Sequence, residues 1–333
     1  METTLTVSDP SHVGEARRAI ALLGHVHGLS EELVAQAALV ASELCTNILK
    51  YARSGSLVVG VHRVADVVVG IDVIAFDKGP GIANFGVAAV DGYSTGGSLG
   101  VGLGTVQRAS AVFDVFSALG SGTAIFSRVL DRKLCKADAG PYLVGARTVP
   151  MHGERVCGDC WSVQPNGPGW AVSVVDGLGH GPKAALASQA AVDVFNTSVA
   201  TQGPSRTIQL AHRALTSTRG AVMAVAVIDP VAGALHFSGM GNISAVVLTP
   251  AGMTRLGSND GTVGYGGRKA RETSYAWTPQ STLIMNSDGL STKWSLAGHP
   301  GLLSRHPMLI AALLQRDFTR DSDDVTVVVV RGR

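Results

Sequence analysis

The chain has 333 residues, of which 46 % are hydrophobic and 16 % charged, and this composition excludes an intrinsically disordered protein. At about 150 residues per domain, the length predicts two domains, each large enough to bury its own core. A net charge of +2, from 27 basic and 25 acidic residues, excludes a broad cationic surface for nucleic acid or an anionic membrane.

The first ten residues and the cysteines indicate the compartment. Residues 1–10 contain Glu2 and Asp9 and no basic residue before an apolar stretch, which argues against a secretory signal. Apolar runs such as residues 67–76 are interrupted, and we expect none to reach the ~20 residues of a membrane-spanning helix. The four cysteines are too few for a disulfide scaffold. We therefore expect reduced thiols in a cytoplasmic protein.

The first part of the chain predicts two helices, a strand hairpin, a glycine-dense loop, a short helix and two further strands. Apolar residues at 3.6-residue spacing predict the first helix from Ser11, and Gly28 interrupts the pattern. Ser30 followed by two glutamates predicts the start of the second helix, which runs to about Ala52. The remaining elements are expected at residues 57–64, 67–76, 79–104, 105–111, 112–118 and 123–130.

The second part of the chain is rich in predicted strands. Residues 133–141 break the apolar pattern and end in Gly-Pro, so we interpret them as a linker between domains 1–132 and 142–333. Strands are expected at residues 142–149, 157–163, 170–176, 221–228, 234–238, 243–248, 282–287 and 325–330, with helices at 183–200, 204–215 and 307–317. This order predicts an α+β sandwich.

Three polar residues of the first part are candidates for one ligand site. Glu43 and Asn47 stand four residues apart on the second helix, so their side chains share one face. Asp77 follows a strand and opens a glycine-containing turn that leaves its carboxylate at the sheet edge. A carboxylate there suits an amino-group donor such as adenine.

A glycine-rich segment follows and ends at a predicted helix, where backbone amides attract phosphate oxygens. It has neither the Gly-Lys-Ser/Thr of a Walker loop nor a dinucleotide-binding fingerprint. The candidate phosphate-binding and turn residues are Gly79, Gly81, Gly96, Gly97, Gly100, Gly102, Leu103 and Gly104.

Taken in order, these motifs resemble the GHKL family of ATP-binding domains, and specifically its anti-sigma-factor serine kinases, including the stressosome switch kinase. The resemblance implies a GHKL (Bergerat) α/β sandwich that binds ATP with Mg²⁺. It further implies that Asn47 coordinates the Mg²⁺, that Glu43 orients or deprotonates the attacking serine hydroxyl, and that Asp77 and Thr123 hold adenine. Residues 94–104 would form a lid over the nucleotide.

Four aspartates of the second part stand at predicted strand ends beside small residues. Clustered carboxylates repel each other unless cations lie between them, and Mg²⁺ or Mn²⁺ prefers such oxygen ligands. The glycines after two of these aspartates would allow backbone and water to approach closely. The four are Asp159, Asp176, Asp288 and Asp323.

This set resembles the metal-dependent serine/threonine phosphatases of the SpoIIE and RsbX type. The resemblance implies a β-sandwich flanked by helices that holds two Mn²⁺ or Mg²⁺ ions. Asp176 would bridge the ions with help from the Gly177 carbonyl, while the other three aspartates complete the two shells. Asp324 is a further neighbour, and His180 either protonates the leaving serine or has a packing role.

Together the two resemblances predict a bifunctional enzyme that phosphorylates and dephosphorylates a serine or threonine of a partner protein. By resemblance that partner is a STAS-domain anti-sigma antagonist or a stressosome protein of a bacterial stress response. Two alternatives remain open. In one the first domain only senses ATP and the phosphatase alone is active, and in the other the chain sequesters a sigma factor as a partner-switching module. We expect no nucleic-acid or membrane partner.

Overall fold

The computed structural model describes residues 2–64, 67–82, 102–131, 142–266, 269–320 and 322–332. The chain divides into two compact units, Met1–Gly140 with Leu296–Leu313, and Pro141–Ser295 with Leu314–Arg333. The predicted linker, residues 133–141, lies outside the described residues. So do Gly96, Gly97 and Gly100 of the predicted lid.

The first unit contains one antiparallel five-stranded sheet of order β1-β2-β3-β5-β4. The strands are β1 Glu2–Val7, β2 Gly55–Val64, β3 Val67–Asp77, β4 Val112–Ala118 and β5 Gly122–Leu130. The sequence analysis did not predict β1. This edge strand pairs with β2 and buries Leu5 and Val7, which alternate with threonines as a half-buried strand requires.

Three helices pack on one face of this sheet: α1 Ser11–His27, α2 Glu31–Asn47 and α3 Gly102–Ala109. Helix α1 ends as predicted at Gly28, whose φ of 63° suits glycine. The side chain of Ser30 caps α2 by accepting the Leu33 amide hydrogen. Helix α3 begins three residues earlier than predicted, because the last residues of the glycine-rich segment are themselves helical.

Helix α2 continues into a π-helical turn, Ile48–Ala52, and the combined stretch departs from one expectation. Among the described residues, Glu31–Ala52 is long and apolar enough to cross a membrane, with a mean hydropathy of 1.2. The expectation rested on uninterrupted apolar runs. The mean hydropathy is taken over all residues of a helix, so isolated polar residues lower it without excluding the helix. The apolar side of this helix, including Val40 and Leu44, is buried in the core of the first unit, which fits the core helix of a globular unit.

The opposite face of the same sheet contacts residues 296–313, which are part of the first unit although they come late in the sequence. Asp114 on β4 accepts the backbone N–H of His306 and lies 3.4 Å from the Arg305 guanidinium. The ring of His306 lies 4.6 Å from that of Phe126 on β5, and His306 is 7 % exposed. The segment therefore covers apolar and acidic side chains of this face.

The second unit contains two five-stranded sheets of order β13-β10-β9-β8-β7 and β12-β11-β14-β15-β6. The strands are β6 Tyr142–Val149, β7 Asp159–Asn166, β8 Gly169–Gly177, β9 Ala221–Asp229, β10 Ala234–Met240, β11 Ser244–Thr249, β12 Gly252–Arg255, β13 Thr273–Ala276, β14 Thr282–Asn286 and β15 Val325–Gly332. Short strands β12 and β13 were not predicted. They are mostly exposed and have no strong apolar pattern.

Apolar residues from both sheets form one core, as the predicted sandwich requires. Helix α4, Pro182–Ala214, packs on the outer face of the β7–β10 sheet through a separate cluster of apolar residues. It comprises the two predicted helices, merged across a kink at Gly203, whose φ of 72° precedes Pro204. Helix α5, Pro307–Phe318, contributes residues to both units. The chain is thus a mixed α/β protein.

Candidate functional sites

The first cluster of predicted site residues lies where α2 meets the start of α3. A Cβ atom at Gly102 would lie 2.7 Å from Glu43 Oε2 and 3.9 Å from Asn47 Oδ1, so only glycine fits there without a shift. Asn47 Nδ2 is buried and has no hydrogen-bond partner in the described part of the chain. Because buried amides are nearly always paired, this group is suited to bind an acceptor that the described residues do not supply.

The second cluster surrounds Asp77 at the end of β3. Asp77 Oδ1 accepts the backbone N–H groups of Gly79, at 2.7 Å, and of Thr123, at 3.3 Å. The Thr123 hydroxyl lies 2.8 Å from the hydroxyl of Ser117 on β4. Gly81 follows with a φ of 76° and passes close to the Ala118 carbonyl. The structure thus brings Asp77, Gly79 and Thr123 together, and it adds Ser117, whose only signal in the sequence is a hydroxyl near a strand end.

The described end of the predicted lid is the first turn of α3. Gly102, Leu103 and Gly104 lie there, and free backbone amides of a first helical turn attract anions. The side chain of Leu103 packs against the core of the first unit, so it anchors the helix.

A cavity of about 450 Å³ in the first unit lies elsewhere, at the turn between α1 and α2. It is lined by Gly28, Arg63 and Asp131 among others, and by none of the described residues predicted to bind ATP. The cavity is therefore separate from the candidate nucleotide site.

Three of the four predicted aspartates of the second unit line one cavity of about 420 Å³. Asp176, Asp288 and Asp323 line it. Asp159 is the first residue of β7 and lies directly opposite Asp176 of β8 in the antiparallel register. Asp323 lies two residues before β15, which pairs with β14, and Asp288 lies two residues after β14. The register of adjacent strands therefore gathers residues that are far apart in the sequence.

The described chain offsets only part of the negative charge in this cavity. Burial and the neighbouring carboxylates raise the pKa of Asp176 to about 9 and that of Asp159 to about 7. Burial and the Asp323 charge also raise the pKa of Asp288, against the opposing effect of Arg320. Divalent cations in the cavity would favour the ionised carboxylates.

Two of the aspartates have one oxygen held and the other unpaired. Asp159 Oδ2 accepts the Ser287 hydroxyl at 2.7 Å, and Asp288 Oδ2 accepts the Asn242 amide at 2.8 Å. The Oδ1 atoms of both aspartates are buried without a hydrogen-bond partner in the described part of the chain. These orphaned oxygens fit divalent cations as ligands.

The described residues contain no group of three or more His, Cys, Asp or Glu side chains that encloses a single metal position. The donor set still fits Mg²⁺ or Mn²⁺, because Mg²⁺ keeps several water ligands and binds through one or two carboxylates. A cavity of about 420 Å³ leaves room for such waters.

Asn242 and Asp260 also line the cavity, and the sequence analysis did not include either as a site residue. The Asn242 amide donates to Asp288 Oδ2 at 2.8 Å and so orients that carboxylate. Asp260 precedes Gly261, as Asp176 and Asp288 precede glycines, so an Asp-Gly pair was the signal in the sequence that could have found it.

Asp324 differs from its neighbour Asp323. Both of its oxygens accept backbone N–H groups, from Met151 at 2.7 Å and from Gly158 at 2.8 Å, and the residue is 2 % exposed. Asp324 thus ties together the two ends of loop 150–158, the connection between β6 and β7.

Two further predicted residues follow β8. A Cβ at Gly177 would lie 2.1 Å from the Ala184 carbonyl oxygen, so glycine is required for the approach to α4. Its carbonyl stays a predicted metal ligand. His180 Nδ1 lies 2.7 Å from Glu154 Oε1, and about half of the His180 side chain is exposed.

The described cysteines are free thiols, as expected. Burial raises the pKa of Cys160 to about 11, and burial together with Asp159 and Asp324 raises that of Cys157 further. Neither is therefore a reactive thiolate at neutral pH.

The second half of the chain matches a known family. The sequence model of the family described as Stage II sporulation protein E (SpoIIE) matches residues 166–333, just over half of the chain. The match includes Asp176, Asp288 and Asp323, whereas Asp159 precedes it.

The N-terminal part is similar to a curated kinase. Serine/threonine-protein kinase RsbT of Bacillus subtilis (strain 168) is 44 % identical over 85 residues, which are 25 % of this chain and 62 % of that relative. The chain therefore spans about three fifths of the length of this relative.

Two solved structures resemble the chain over somewhat more than half of its length. One, described as "The bacterial stressosome: a modular system that has been adapted to control secondary messenger signaling", is 29 % identical with a TM-score of 0.53 and covers 57 % of this chain and 99 % of that chain. The other is RsbX in complex with magnesium, 20 % identical with a TM-score of 0.50, covering 58 % and 96 %. The likeness to RsbX shows a shared fold.

Proposed function

The chain belongs to the SpoIIE family, and on that premise we propose that its second unit is a metal-dependent phosphatase that acts on phosphoserine or phosphothreonine of a partner protein. The observation that carries the proposal is the shared cavity of Asp176, Asp288 and Asp323, in which the buried Oδ1 of Asp288 has no hydrogen-bond partner in the described part of the chain.

Each residue has a role that its contacts support. Asp176 and the Gly177 carbonyl would hold the Mn²⁺ or Mg²⁺ ions, and Asp159, Asp288 and Asp323 would supply the remaining protein ligands. Ser287 and Asn242 hold two of these carboxylates in orientation, as residues behind metal ligands commonly do. When bound, the cations lower the pKa of a water molecule and balance the charge of the phosphate oxygens.

We propose that the first unit has a GHKL-type fold, binds ATP with Mg²⁺ and transfers the γ-phosphate to a serine or threonine. The 44 % identity to RsbT over 85 residues supports this assignment. So does the position of Glu43 and Asn47 under the first turn of α3, where Asn47 would hold Mg²⁺ and Glu43 would orient the hydroxyl. Asp77 and Thr123 would contact adenine, and residues 94–104 would close over the nucleotide.

The proposed partner is a STAS-domain anti-sigma antagonist or a stressosome protein in the cytoplasm of a bacterium. The similarity to RsbT and to a chain from a bacterial stressosome study supports this class of partner. The two units would then set the phosphorylation state of that partner in opposite directions.

The phosphatase assignment is tested with p-nitrophenyl phosphate in the presence and absence of Mn²⁺. We expect Mn²⁺-dependent hydrolysis by the intact chain and a loss of at least about 100-fold in Asp176→Asn. Asp193→Asn, at an exposed aspartate of α4, is the matched control and should keep full activity. Activity that persists in Asp176→Asn, or that needs no metal, would contradict the assignment.

The kinase assignment is tested by transfer of labelled γ-phosphate from ATP to the candidate partner. Glu43→Ala should abolish transfer and leave the hydrolysis of p-nitrophenyl phosphate unchanged. Nucleotide binding without transfer in the intact chain would instead support the ATP-sensing alternative.

A further inference from the structure

His180 and Glu154 form a side-chain pair at the edge of the candidate phosphatase cavity. His180 Nδ1 lies 2.7 Å from Glu154 Oε1, within hydrogen-bond distance. His180 directly follows Leu178 and Gly179, which line the cavity, and its side chain is 52 % exposed. His180 is therefore the next residue after the cavity lining along the chain, and its imidazole is accessible to a protein substrate.

The backbone is shaped around this pair. Gly181 has a φ of 72°, and a Cβ on it would lie 3.1 Å from Glu154 Oε2. The chain that follows His180 thus passes directly beside the glutamate, and a side chain at this position would press against it. Such a close approach is not needed for an incidental surface ion pair.

Glu154 lies in a loop that hydrogen bonds hold at both ends. It lies in loop 150–158, and its backbone N–H donates to the Met151 carbonyl at 2.9 Å. Asp324 accepts the N–H groups of Met151 and Gly158, so it fixes both ends of the loop. Because Asp324 is adjacent to Asp323, the loop that carries Glu154 is tied to the same chain segment as a cavity carboxylate.

The geometry points to Glu154 as a positioning residue that orients His180 to protonate the leaving serine oxygen. This inference rests on the proposed phosphatase function and deepens it. With Nδ1–H donating to Glu154, the imidazolium presents its Nε2–H outward. A carboxylate in this position also stabilises the positive charge of the ring.

The step transfers the phosphoryl group from the serine oxygen to water. A water oxygen bonds to phosphorus, and the bond between phosphorus and the serine oxygen breaks. The electron pair of that bond stays on the serine oxygen, which takes the proton from Nε2 of His180. The neutral imidazole regains a proton released by the water, so that the products are serine and hydrogen phosphate.

A general acid is needed only when the leaving group is strongly basic. Serine alkoxide is such a group, whereas p-nitrophenolate leaves without a proton. The full-length protein with Mn²⁺ is therefore assayed on a phosphoserine peptide and on p-nitrophenyl phosphate, for the variants His180→Asn, Glu154→Gln and Glu154→Asp. Glu272→Gln, in a longer His236–Glu272 pair of 3.7 Å, is the matched control.

We expect kcat/KM for the peptide to fall on the order of 100-fold in His180→Asn and about 10-fold in Glu154→Gln. Hydrolysis of p-nitrophenyl phosphate should change less than about threefold in both, and Glu154→Asp should recover part of the loss. Because one residue acts through the other, the double variant should lose no more than His180→Asn alone. Glu272→Gln should match the intact protein on both substrates.

A second readout does not depend on turnover. In ¹⁵N-histidine NMR spectra of the metal-free protein, the His180 signal, assigned by its absence in His180→Asn, should show a predominantly Nδ1–H tautomer that Glu154→Gln abolishes. Equal losses on both substrates, no loss on the peptide, or an unchanged tautomer would overturn the inference. If the intact protein hydrolyses neither substrate, the proposed function itself fails, and the inference fails with it.

Discussion

Replacement of Ser287 by alanine removes the side chain that holds Asp159 in the candidate metal cavity. The Ser287 hydroxyl donates to Asp159 Oδ2 at 2.7 Å and accepts the Thr326 backbone N–H at 2.8 Å, and the residue is fully buried. The substitution leaves the Thr326 backbone N–H buried without this acceptor and removes one hydroxyl bond of Asp159, which keeps a side-chain bond from Thr326. At about 1–3 kcal/mol for the unpaired amide and about 1 kcal/mol for the lost bond, the metal-free second unit should lose about 2–4 kcal/mol of unfolding free energy.

Loss of this bond should also weaken metal binding, because an unrestrained carboxylate is a poorer ligand. Removal of residues behind metal ligands typically costs about 10- to 100-fold in affinity, and we expect that range for Mn²⁺ in Ser287→Ala by isothermal titration calorimetry. Unfolding of the second unit can be followed separately by fluorescence, since all four tryptophans, Trp161, Trp170, Trp277 and Trp294, belong to it.

The matched control is Ser173→Ala on β8. Ser173 is equally buried, and its hydroxyl has no hydrogen-bond partner in the described part of the chain. This variant should keep the stability of the intact protein or exceed it, and it should keep its Mn²⁺ affinity. Similar losses in both variants, or none in Ser287→Ala, would refute the reasoning.

Three further predictions concern both units. The pKa of Asp176 is raised from 3.8 to about 9, so the metal-free folded state binds this proton more tightly than the unfolded state does. The stability that the proton contributes is complete below about pH 4 and is lost as pH rises through about 9. The fluorescence-detected urea midpoint should therefore fall between about pH 6 and pH 9, and a rising midpoint would contradict this. In the first unit the Asp72 carboxylate accepts two hydrogen bonds from the buried Arg128 guanidinium, at 2.7 and 2.8 Å. Asp72→Ala should lower the free energy of unfolding by about 3–5 kcal/mol, measured by hydrogen exchange of the backbone amides of this sheet. Native-like exchange would contradict this. Asn47→Ala removes the buried amide proposed to hold Mg²⁺ with the nucleotide, so fluorescent ATP with Mg²⁺ should bind at least about 10-fold more weakly, and unchanged affinity would contradict the nucleotide site.

Much of the second site could be predicted from the sequence, because its residues carry local signals. Asp176 and Asp288 stand at the ends of apolar strand patterns and precede glycine, a combination that indicates a turn with an exposed carboxylate. The structure brings both to one cavity together with Asp323. Their convergence depends on strand order, which the sequence indicated only through resemblance.

Other residues had no local signal. Glu154 lies in a loop without periodicity, and its relation to His180 arises from the closure of loop 150–158 by Asp324. Asn242 looked like an ordinary turn residue after β10. Residues 296–313 cover the sheet of the first unit, although a sequence reading in order assigns them to the second domain. Contacts between distant segments decide all three cases, and the sequence pattern does not encode such contacts directly.

The central claim, that one chain adds and removes phosphate on the same class of partner, is tested most directly by mass spectrometry of a STAS-domain partner. The partner is incubated with ATP, Mg²⁺ and Mn²⁺ and with the intact chain, Glu43→Ala or Asp176→Asn. The account predicts that phosphoserine or phosphothreonine accumulates with Asp176→Asn and that Glu43→Ala only removes it from a previously phosphorylated partner. Absence of phosphate transfer by Asp176→Asn, or equal removal of phosphate by both variants, would contradict the account.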